Sequence, residues 1–310
     1  MVQKNDVLIY FKMVRRFKKL GALNAVMFIL SLLCTQNPLL AQALNPIKIE
    51  NITFNSEGVI LSGTIYKPTH SHAAVVIVHG SGQETRMDLF AELLAKNGIS
   101  VLTYDKRGVG KSGGLYAGPE VGTNNIDSLN LNLLAKDANA AVNILHKHNE
   151  NLPAGLVGFS QAGWIIPIAA IKNQLVKFMV LFSCPTITTL EQLRFQFYTN
   201  GNNDFWNNHT EDEVREHIKN DADRYQFTGT DPKVALSTLS IPGLWLFGEK
   251  DIQIPVKLAM EHLNTFKAQG KEFEYCLFPT FGHNTAFSQP VDIAIQWIKN
   301  RYRKKEDLKN

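Results

Sequence analysis

Six short, largely apolar runs are the feature that most constrains the fold of this 310-residue chain. They occupy residues 73–80, 99–105, 155–160, 177–183, 243–248 and 272–279. A strand that is apolar along its length must be covered on both faces, which is typical of strands inside a parallel sheet. Segments with apolar residues at helical spacing lie between most of the runs. This alternation predicts an α/β fold in which helices cover both faces of a mostly parallel sheet.

Two further segments modify the alternation. Residues 47–67 form two strand-like stretches around the turn signal "NSEG", so the sheet should begin with a hairpin. Residues 188–240 are polar and aromatic, with helical stretches such as "EDEVREHIKN". We interpret this second segment as a small helical cap inserted between two strands. The sequence therefore predicts one α/β domain over residues 44–310, with a cap insertion at about 188–240.

The first 43 residues have the pattern of a secretory signal peptide. The basic stretch "RRFKK" precedes 15 largely apolar residues, and the segment ends in "AQA", a small-x-small cleavage site. Fifteen residues fall short of the roughly 20 that a helix needs to cross a bilayer. We expect cleavage after residue 43 and export of the mature chain to the periplasm or the extracellular space, without stable membrane insertion. An uncleaved membrane anchor is the alternative.

The net charge of +4 comes from this N-terminal segment. Residues 1–43 hold six basic residues and one acidic residue, whereas the remainder holds 26 basic and 27 acidic residues, a net charge of −1. Proteins that bind nucleic acids need a basic face on the folded domain. The charge distribution gives no support for a nucleic-acid partner, and we expect none.

The segment "GLVGFSQAGW" at residues 155–164 carries the clearest chemical signal. Its central "GFSQA" fits the nucleophile elbow G-x-S-x-G, with alanine in the last position, between a predicted strand and a predicted helix. Such a sharp turn holds the serine in a strained backbone conformation and lifts its hydroxyl clear of the sheet. Ser160 is therefore the candidate nucleophile.

A nucleophilic serine needs a neighbouring base that an acid orients. After an elbow of this kind, the acid and then the histidine stand on loops that follow later strands. The run at 243–248 leads into "GEKDIQIP", which supplies Asp251, and the run at 272–279 leads into "TFGHNTA", which supplies His283. We predict a triad of these two residues with Ser160. Glu249 is the alternative acid, but Asp251 lies further along the loop.

The oxyanion of an acyl-transfer transition state needs backbone N–H donors. One donor belongs to the residue after the nucleophile, Gln161, and the second to the loop after the strand at 73–80. This loop contains "HGSG", and we assign the second donor to Ser81. His79 belongs to the same loop, where we expect it to have a structural role.

The stretch "YDKRGVGKSGG" at residues 104–114 imitates two nucleotide-binding motifs. It satisfies G-x-G-x-x-G, and it departs from G-x-x-x-x-G-K-[ST] only at the first position. Both motifs require a helix to start at the glycines. Here "GLYAGPEVGTNN" follows, and its glycines and proline disfavour a helix. We therefore predict no nucleotide or other cofactor, and we expect Asp105 and Arg107 to brace the loop internally. The histidines show no metal-ligand spacing, so we predict no metal site.

The motifs "HGSG", "YDKRGVGKSGG", "GFSQAG", "GEKD" and "FGH", in this order after an N-terminal hairpin, resemble a known family. The chain is similar to the α/β-hydrolase-fold serine hydrolases, in particular to exported esterases and acyl-peptidase-like enzymes. The resemblance covers about residues 47–303 and implies the α/β-hydrolase fold. It also implies that the "YDKRG-x-G-x-S" loop packs beside the active site. Ala162 is a departure, because glycine is commoner there.

The resemblance implies hydrolysis of carboxylic esters through an acyl-enzyme, with a small-molecule ester as substrate. Cleavage of a short peptide or an aminoacyl amide by the same triad is the alternative, because the cap and not the triad sets the substrate. In that case Glu191 or Asp204 of the cap could hold a free amino terminus. A non-catalytic binding protein would be expected to have a damaged triad. Acyl transfer to an acceptor other than water also stays open.

Two further groups of side chains have two interpretations each. The aromatic residues of the cap could line an acyl pocket or hold the cap together; they are Phe195, Phe197, Tyr198, Phe205 and Trp206. Cys184 and Cys276 could pair in an exported protein, but two buried free thiols is the simpler interpretation.

Overall fold

The computed structural model describes residues 45–221, 225–286 and 288–302. Its strands are β1 (Ile47–Ser56), β2 (Val59–Pro68), β3 (Ala73–Val78), β4 (Ile99–Tyr104), β5 (Ala154–Phe159), β6 (Val176–Phe182), β7 (Gly243–Gly248) and β8 (Phe273–Phe278). Within the described residues these eight strands form one sheet in the order β1-β2-β4-β3-β5-β6-β7-β8. The strand β2 pairs antiparallel with β1 and β4, and the other pairings are parallel. The predicted mostly parallel sheet, with its hairpin at the start, is confirmed.

Helices connect the strands and cover the sheet. In the described part of the chain they are α1 (Asp88–Lys96), α2 (Ser128–His148), α3 (Ala162–Lys172), α4 (Thr189–Thr199), α5 (Phe205–Asn208), α6 (Glu211–Asn220), α7 (Pro232–Thr238), α8 (Val256–Ala268) and α9 (Gln289–Tyr302). The helix α1 ends two residues before Gly98, whose φ of 78° is the left-handed conformation that commonly stops a helix.

The strand β3 illustrates why both faces of the sheet must be covered. Successive side chains of a strand point to opposite faces, so Val76 and Val78 pack in one core while Val75 and Ile77 pack in another. All four are at most 1% exposed. Residues of α2, α3 and α8 fill the first core, and residues of α1 and α9 fill the second.

Four helices, α4 to α7, interrupt the alternation between β6 and β7, in the segment where the sequence predicts a cap. Both α4 and α6 begin with a capping box, in which a threonine and a glutamate three residues later bond to each other's backbone N–H. The helices α4, α5 and α6 share a small apolar cluster that contains the buried rings of Phe195 and Phe205. These two aromatic residues therefore hold the cap together.

The sequence analysis also made predictions about the N-terminal segment, membrane insertion and the cysteines. The expected signal peptide, residues 1–43, lies outside the described residues. Among the residues that are described, no helix has the length and apolarity needed to span a membrane. Both Cys184 and Cys276 are free thiols, but only Cys184 is fully buried.

Candidate active site

Ser160 occupies the turn between β5 and α3. Its φ is 49°, in the left-handed region that residues other than glycine rarely adopt. Its backbone N–H donates a 3.0 Å hydrogen bond to the carbonyl oxygen of Phe182 at the end of β6. This is the strained strand-to-helix turn that the elbow motif predicts, and it leaves the side chain half-buried.

Small residues are needed where the strand and helix of the elbow meet. A Cβ atom added at Gly158 would lie 2.4 Å from the Cβ of Ala162 and 2.6 Å from the Cδ1 of Ile166. Carbon atoms that are not bonded pack at about 3.5–4.0 Å. Because residue 162 is alanine in this chain, residue 158 has to be glycine.

We expect Gly158→Ala to lower the free energy of unfolding by about 1–3 kcal/mol, because it overpacks the elbow. Denaturant unfolding followed by circular dichroism measures the change. Adding Ala162→Gly removes the closer of the two contacts, so the double variant should recover part of the loss. Gly270→Ala is the comparison for backbone strain without crowding, since a Cβ there meets nothing within 4 Å although φ is +85°. A double variant no more stable than Gly158→Ala would contradict the steric explanation.

The acid and the histidine predicted from the sequence lie in contact. The Nδ1 of His283 is 2.8 Å from the Oδ2 of Asp251. Asp251 is fully buried, and its Oδ1 accepts hydrogen bonds from the backbone N–H groups of Gln253 and Ile254 at 2.7 and 3.1 Å. Both carboxylate oxygens are thus fixed in orientation. The alternative acid, Glu249, is exposed.

The loop that carries His283 is bound to the neighbouring strands. The hydroxyl oxygens of Thr285 and Ser183 lie 2.8 Å apart, and Thr285 also donates to the carbonyl oxygen of Leu246 in β7. Ser183 directly follows β6 and, like Ser160, has a φ of 49°. The sequence analysis missed this pair, since two hydroxyl residues 102 positions apart give no local signal.

The cap is bound to the loop of the candidate acid. Three cap side chains donate hydrogen bonds to three consecutive carbonyl oxygens of this loop. The pairs are Trp206 Nε1 with Asp251 at 2.7 Å, Thr199 Oγ1 with Ile252 at 2.7 Å, and Gln192 Nε2 with Gln253. The cap is therefore fixed to the loop of Asp251, the residue that orients His283. No sequence motif indicated this connection.

Ser160, Asp251 and His283 all follow the carboxyl ends of parallel strands. The strands concerned are β5, β7 and β8, and β6 lies between the first two. Within the described residues no hydrogen bond joins the Ser160 hydroxyl to His283. Catalytic hydrogen bonds of this kind are often long until substrate binds. Because Nδ1 of the ring is held by Asp251, Nε2 is the nitrogen available to a hydroxyl group.

Two backbone N–H groups beside Ser160 have no acceptor among the described residues. They belong to Ser81 and Gln161, the donors that the sequence predicts for an oxyanion. The carbonyl oxygen of Ser81 is held from its other side, where it accepts from the Tyr116 hydroxyl at 2.7 Å and from the Asn125 amide at 2.8 Å. These bonds fix the peptide that follows Ser81, whereas the peptide that carries the Ser81 N–H is held through the carbonyl oxygen of Gly80, which accepts from the Lys106 ammonium group at 2.6 Å.

His79 lies in the same loop but has the properties of a packing residue. It is 3% exposed, and its ring packs edge-on against Tyr104 with 4.9 Å between the ring centroids. Burial, helped by the charge of Lys106, lowers the pKa of His79 to about 3. The imidazole is neutral at physiological pH and buried, which agrees with the structural role expected for it.

The stretch that imitates nucleotide-binding motifs is a loop without a helix at its glycines. The next helix, α2, begins only at residue 128. Gly110 has a φ of 57°, and a Cβ there would lie 2.7 Å from the Oδ2 of Asp105. That carboxylate accepts the N–H of Lys111 at 2.8 Å and pairs with Arg86. Burial alone would raise the pKa of Asp105, but Arg86 and the Lys111 N–H lower it below its usual value. The acid therefore occupies a backbone N–H group of this loop and one of its neighbouring cations.

Arg107 braces the same loop against the rest of the fold. Its Nε donates a 2.9 Å hydrogen bond to Asp137 of α2, and its Nη2 donates to the carbonyl oxygen of Ser56 in β1 at 3.0 Å. The expectation that Arg107 braces the loop internally is wrong, because its partners lie in α2 and β1.

Comparison with known proteins agrees with this geometry. Residues 69–201 match the model of a protein family described as serine aminopeptidase, S33. The matched segment includes the elbow serine, the loop of Ser81 and the "YDKRG" stretch. The chain is a serine hydrolase of the α/β-hydrolase fold. No relative of this hydrolase was found among curated proteins.

Solved structures similar to the hydrolase share its fold at low sequence identity. An esterase from Pyrococcus furiosus has a TM-score of 0.60 at 18% identity, covering 83% of this chain and 92% of the esterase. An acylaminoacyl peptidase from Pyrococcus horikoshii has a TM-score of 0.60 at 16% identity, covering 86% of this chain and 42% of the peptidase. A dienelactone hydrolase from Anabaena variabilis has a TM-score of 0.52 at 16% identity, covering 83% and 99%. These likenesses establish the fold.

Proposed function

We propose that the hydrolase is an exported carboxylesterase that cleaves small-molecule esters through an acyl-enzyme on Ser160. The observation that carries the proposal is the meeting of three features at one edge of the sheet. These are the strained elbow of Ser160, the buried pair of Asp251 with His283, and the two N–H groups of Ser81 and Gln161 that have no acceptor among the described residues.

Each group has a role in the proposed mechanism. Ser160 attacks the ester carbonyl while His283 accepts its proton at Nε2, and Asp251 holds the ring in the tautomer this requires. The N–H groups of Ser81 and Gln161 hold the negative oxygen of the tetrahedral intermediate. His283 then protonates the leaving alcohol. Water, deprotonated by the same histidine, hydrolyses the acyl-enzyme, and no cofactor takes part.

Three observations support an ester over an amide with a free amino terminus. Neither cap acid considered for binding an ammonium group suits that role: Glu191 is engaged in the capping box of α4, and Asp204 is exposed. Near Ser160, the Glu84 carboxylate already accepts the N–H of Gly80 and interacts with the charge of Lys106. The Pyrococcus furiosus esterase is also covered over nearly its whole length, unlike the peptidase.

Amide cleavage stays the second candidate, because the family model that matches is described as a serine aminopeptidase. Export is part of the proposal and rests on the basic and apolar pattern of residues 1–43.

A substrate panel distinguishes the two candidates. We expect the mature chain, residues 44–310, to hydrolyse p-nitrophenyl esters and to leave aminoacyl p-nitroanilides intact in the same assay. Increasing acyl length along the ester series measures the size of the acyl pocket. Turnover of anilides at rates similar to the esters would shift the assignment to an aminopeptidase, and no turnover of either class would contradict the proposal.

A further inference from the structure

A buried lysine connects the two sides of the proposed oxyanion hole. The ammonium group of Lys106 donates to the carbonyl oxygens of Gly80 and Gly82 at 2.6 and 3.3 Å. It also donates to the side-chain Oε1 of Gln161 at 3.1 Å. Gly80 and Gly82 flank Ser81, whereas Gln161 follows the nucleophile. One side chain, 3% exposed, is therefore bonded to both segments that carry the oxyanion donors.

The hydrogen-bond partners of Lys106 are those that a protonated amine requires. An ammonium group has three N–H donors and no acceptor, and here three oxygens accept from it. The ring of Tyr116 lies 5.4 Å from Nζ and adds a cation–π contact. A neutral amine has only two N–H donors, so at least one of the three oxygens would lose its hydrogen bond.

Asn125 forms a second connection between the same two segments. Its side-chain Nδ2 donates to the carbonyl oxygen of Ser81 at 2.8 Å. The Nε2 of Gln161 in turn donates to the Asn125 backbone oxygen and to its Oδ1, at 2.7 and 2.8 Å. The side chain of Gln161 is thus held at its oxygen by Lys106 and at its nitrogen by Asn125, which fixes the peptide that carries its N–H.

We propose that Lys106 is a positioning residue of the oxyanion hole, holding the N–H groups of Ser81 and Gln161 at the separation that the tetrahedral intermediate needs. This inference rests on the proposed hydrolytic function, because it concerns the same site. It also explains the "YDKRG" stretch in this hydrolase, which places a cation behind the oxyanion loop.

The charge of Lys106 makes the arrangement sensitive to pH. Burial lowers its pKa to about 8, against the opposing effect of the Glu84 and Glu120 carboxylates. Two other titratable groups beside it, His79 and Tyr116, do not change over the same range. His79 stays neutral above pH about 3, and burial raises the pKa of Tyr116. Below pH 8 the ammonium bonds all three oxygens; as the pH rises through 8 one bond is lost, so kcat should fall.

The test compares Lys106→Met with Lys111→Met in the purified protein. Lys111 is an exposed lysine of the same loop, so it controls for loss of a positive charge. We expect Lys106→Met to lower kcat for a p-nitrophenyl ester by about 10- to 100-fold, because small displacements of catalytic donors have effects of this size. KM should change little, and the decline of kcat above pH 8 should disappear. Lys111→Met should behave as the wild type does.

An unchanged kcat in Lys106→Met, an equal loss in Lys111→Met, or an effect confined to KM would overturn the inference. If Lys106→Met does not fold, the wild-type profile decides, because a kcat that stays constant from pH 7 to 10 excludes the role. The rate at which a fluorophosphonate modifies Ser160 gives a second readout. This reaction uses the same N–H donors but needs no ester substrate, so a Lys106 effect on it separates this inference from the choice of substrate.

Discussion

Replacing Ser160 with alanine should lower kcat for p-nitrophenyl esters by about 10⁴- to 10⁶-fold, the range seen when a serine hydrolase loses its nucleophile. The reason is that alanine cannot form the acyl-enzyme, whereas the N–H donors and the Asp251–His283 pair remain. Residual activity would reflect general binding effects alone. Initial rates measured under saturating ester, with the uncatalysed rate subtracted, give the ratio directly.

Two other serines make the comparison specific. Ser237 is exposed on α7, so Ser237→Ala should retain the wild-type kcat. Ser183 has the same φ as Ser160 and also follows a parallel strand, but it is 2% exposed and bonded to Thr285. A kcat abolished by Ser183→Ala but preserved in Ser160→Ala would show that the nucleophile has been misassigned.

Replacing Asp251 with asparagine should lower kcat by about 10⁴-fold, by analogy with the loss of the triad acid in other serine hydrolases. An amide at this position can donate to the Nδ1 of His283, which favours the wrong tautomer and leaves Nε2 unable to accept a proton. The backbone bonds from Gln253 and Ile254 to the remaining oxygen can persist, so the loop should keep its conformation. Ester kinetics together with a thermal melt test both expectations.

Glu249→Gln is the matched control, since it makes the same chemical change two residues earlier in the same loop. Glu249 is exposed. We therefore expect the kcat of the Glu249→Gln variant to stay within about twofold of the wild-type value, as for most surface substitutions. A larger loss in Glu249→Gln than in Asp251→Asn would mean that the acid of the triad has been assigned to the wrong residue.

The parts of the fold that sequence predicted well are those fixed by local patterns. An apolar run in the sequence indicates each buried strand, and the helix of its right-handed crossover follows nearby in the chain. The placement of Ser160, Asp251 and His283 followed from the same logic, because residues just after parallel strands meet at one edge of the sheet. Their catalytic roles stay proposals, but their positions needed no long-range information.

The contacts that sequence could not predict are those that join distant segments. Lys106 bonds to oxygens 24, 26 and 55 positions away, and the cap tryptophan Trp206 bonds to the carbonyl oxygen of Asp251 across 45 positions. Such pairs depend on how the loops fold back over the sheet. Neither the periodicity of apolar residues nor a sequence motif predicts this. The same reason explains why Arg107 was expected to brace its own loop and in fact bonds Asp137 and Ser56.

The nucleotide-like motif shows how context decides between interpretations of one pattern. The glycines of residues 104–114 match a phosphate-binding pattern, yet no helix starts there, and the carboxylate of Asp105 already takes the N–H of Lys111. A bound phosphate would need such N–H groups for itself. The loop uses its glycines for tight turns, and its lysine and arginine connect the oxyanion loop and α2 to the sheet.

The most direct test of the central claim is to identify the residue that a fluorophosphonate modifies. The wild-type protein is treated with the reagent, digested, and analysed by mass spectrometry of the peptide that contains "GFSQAG". We expect one adduct, on Ser160, formed in parallel with the loss of esterase activity and absent from Ser160→Ala. An adduct on another residue that accompanies inactivation, or full activity in protein that is completely modified at Ser160, would contradict the account.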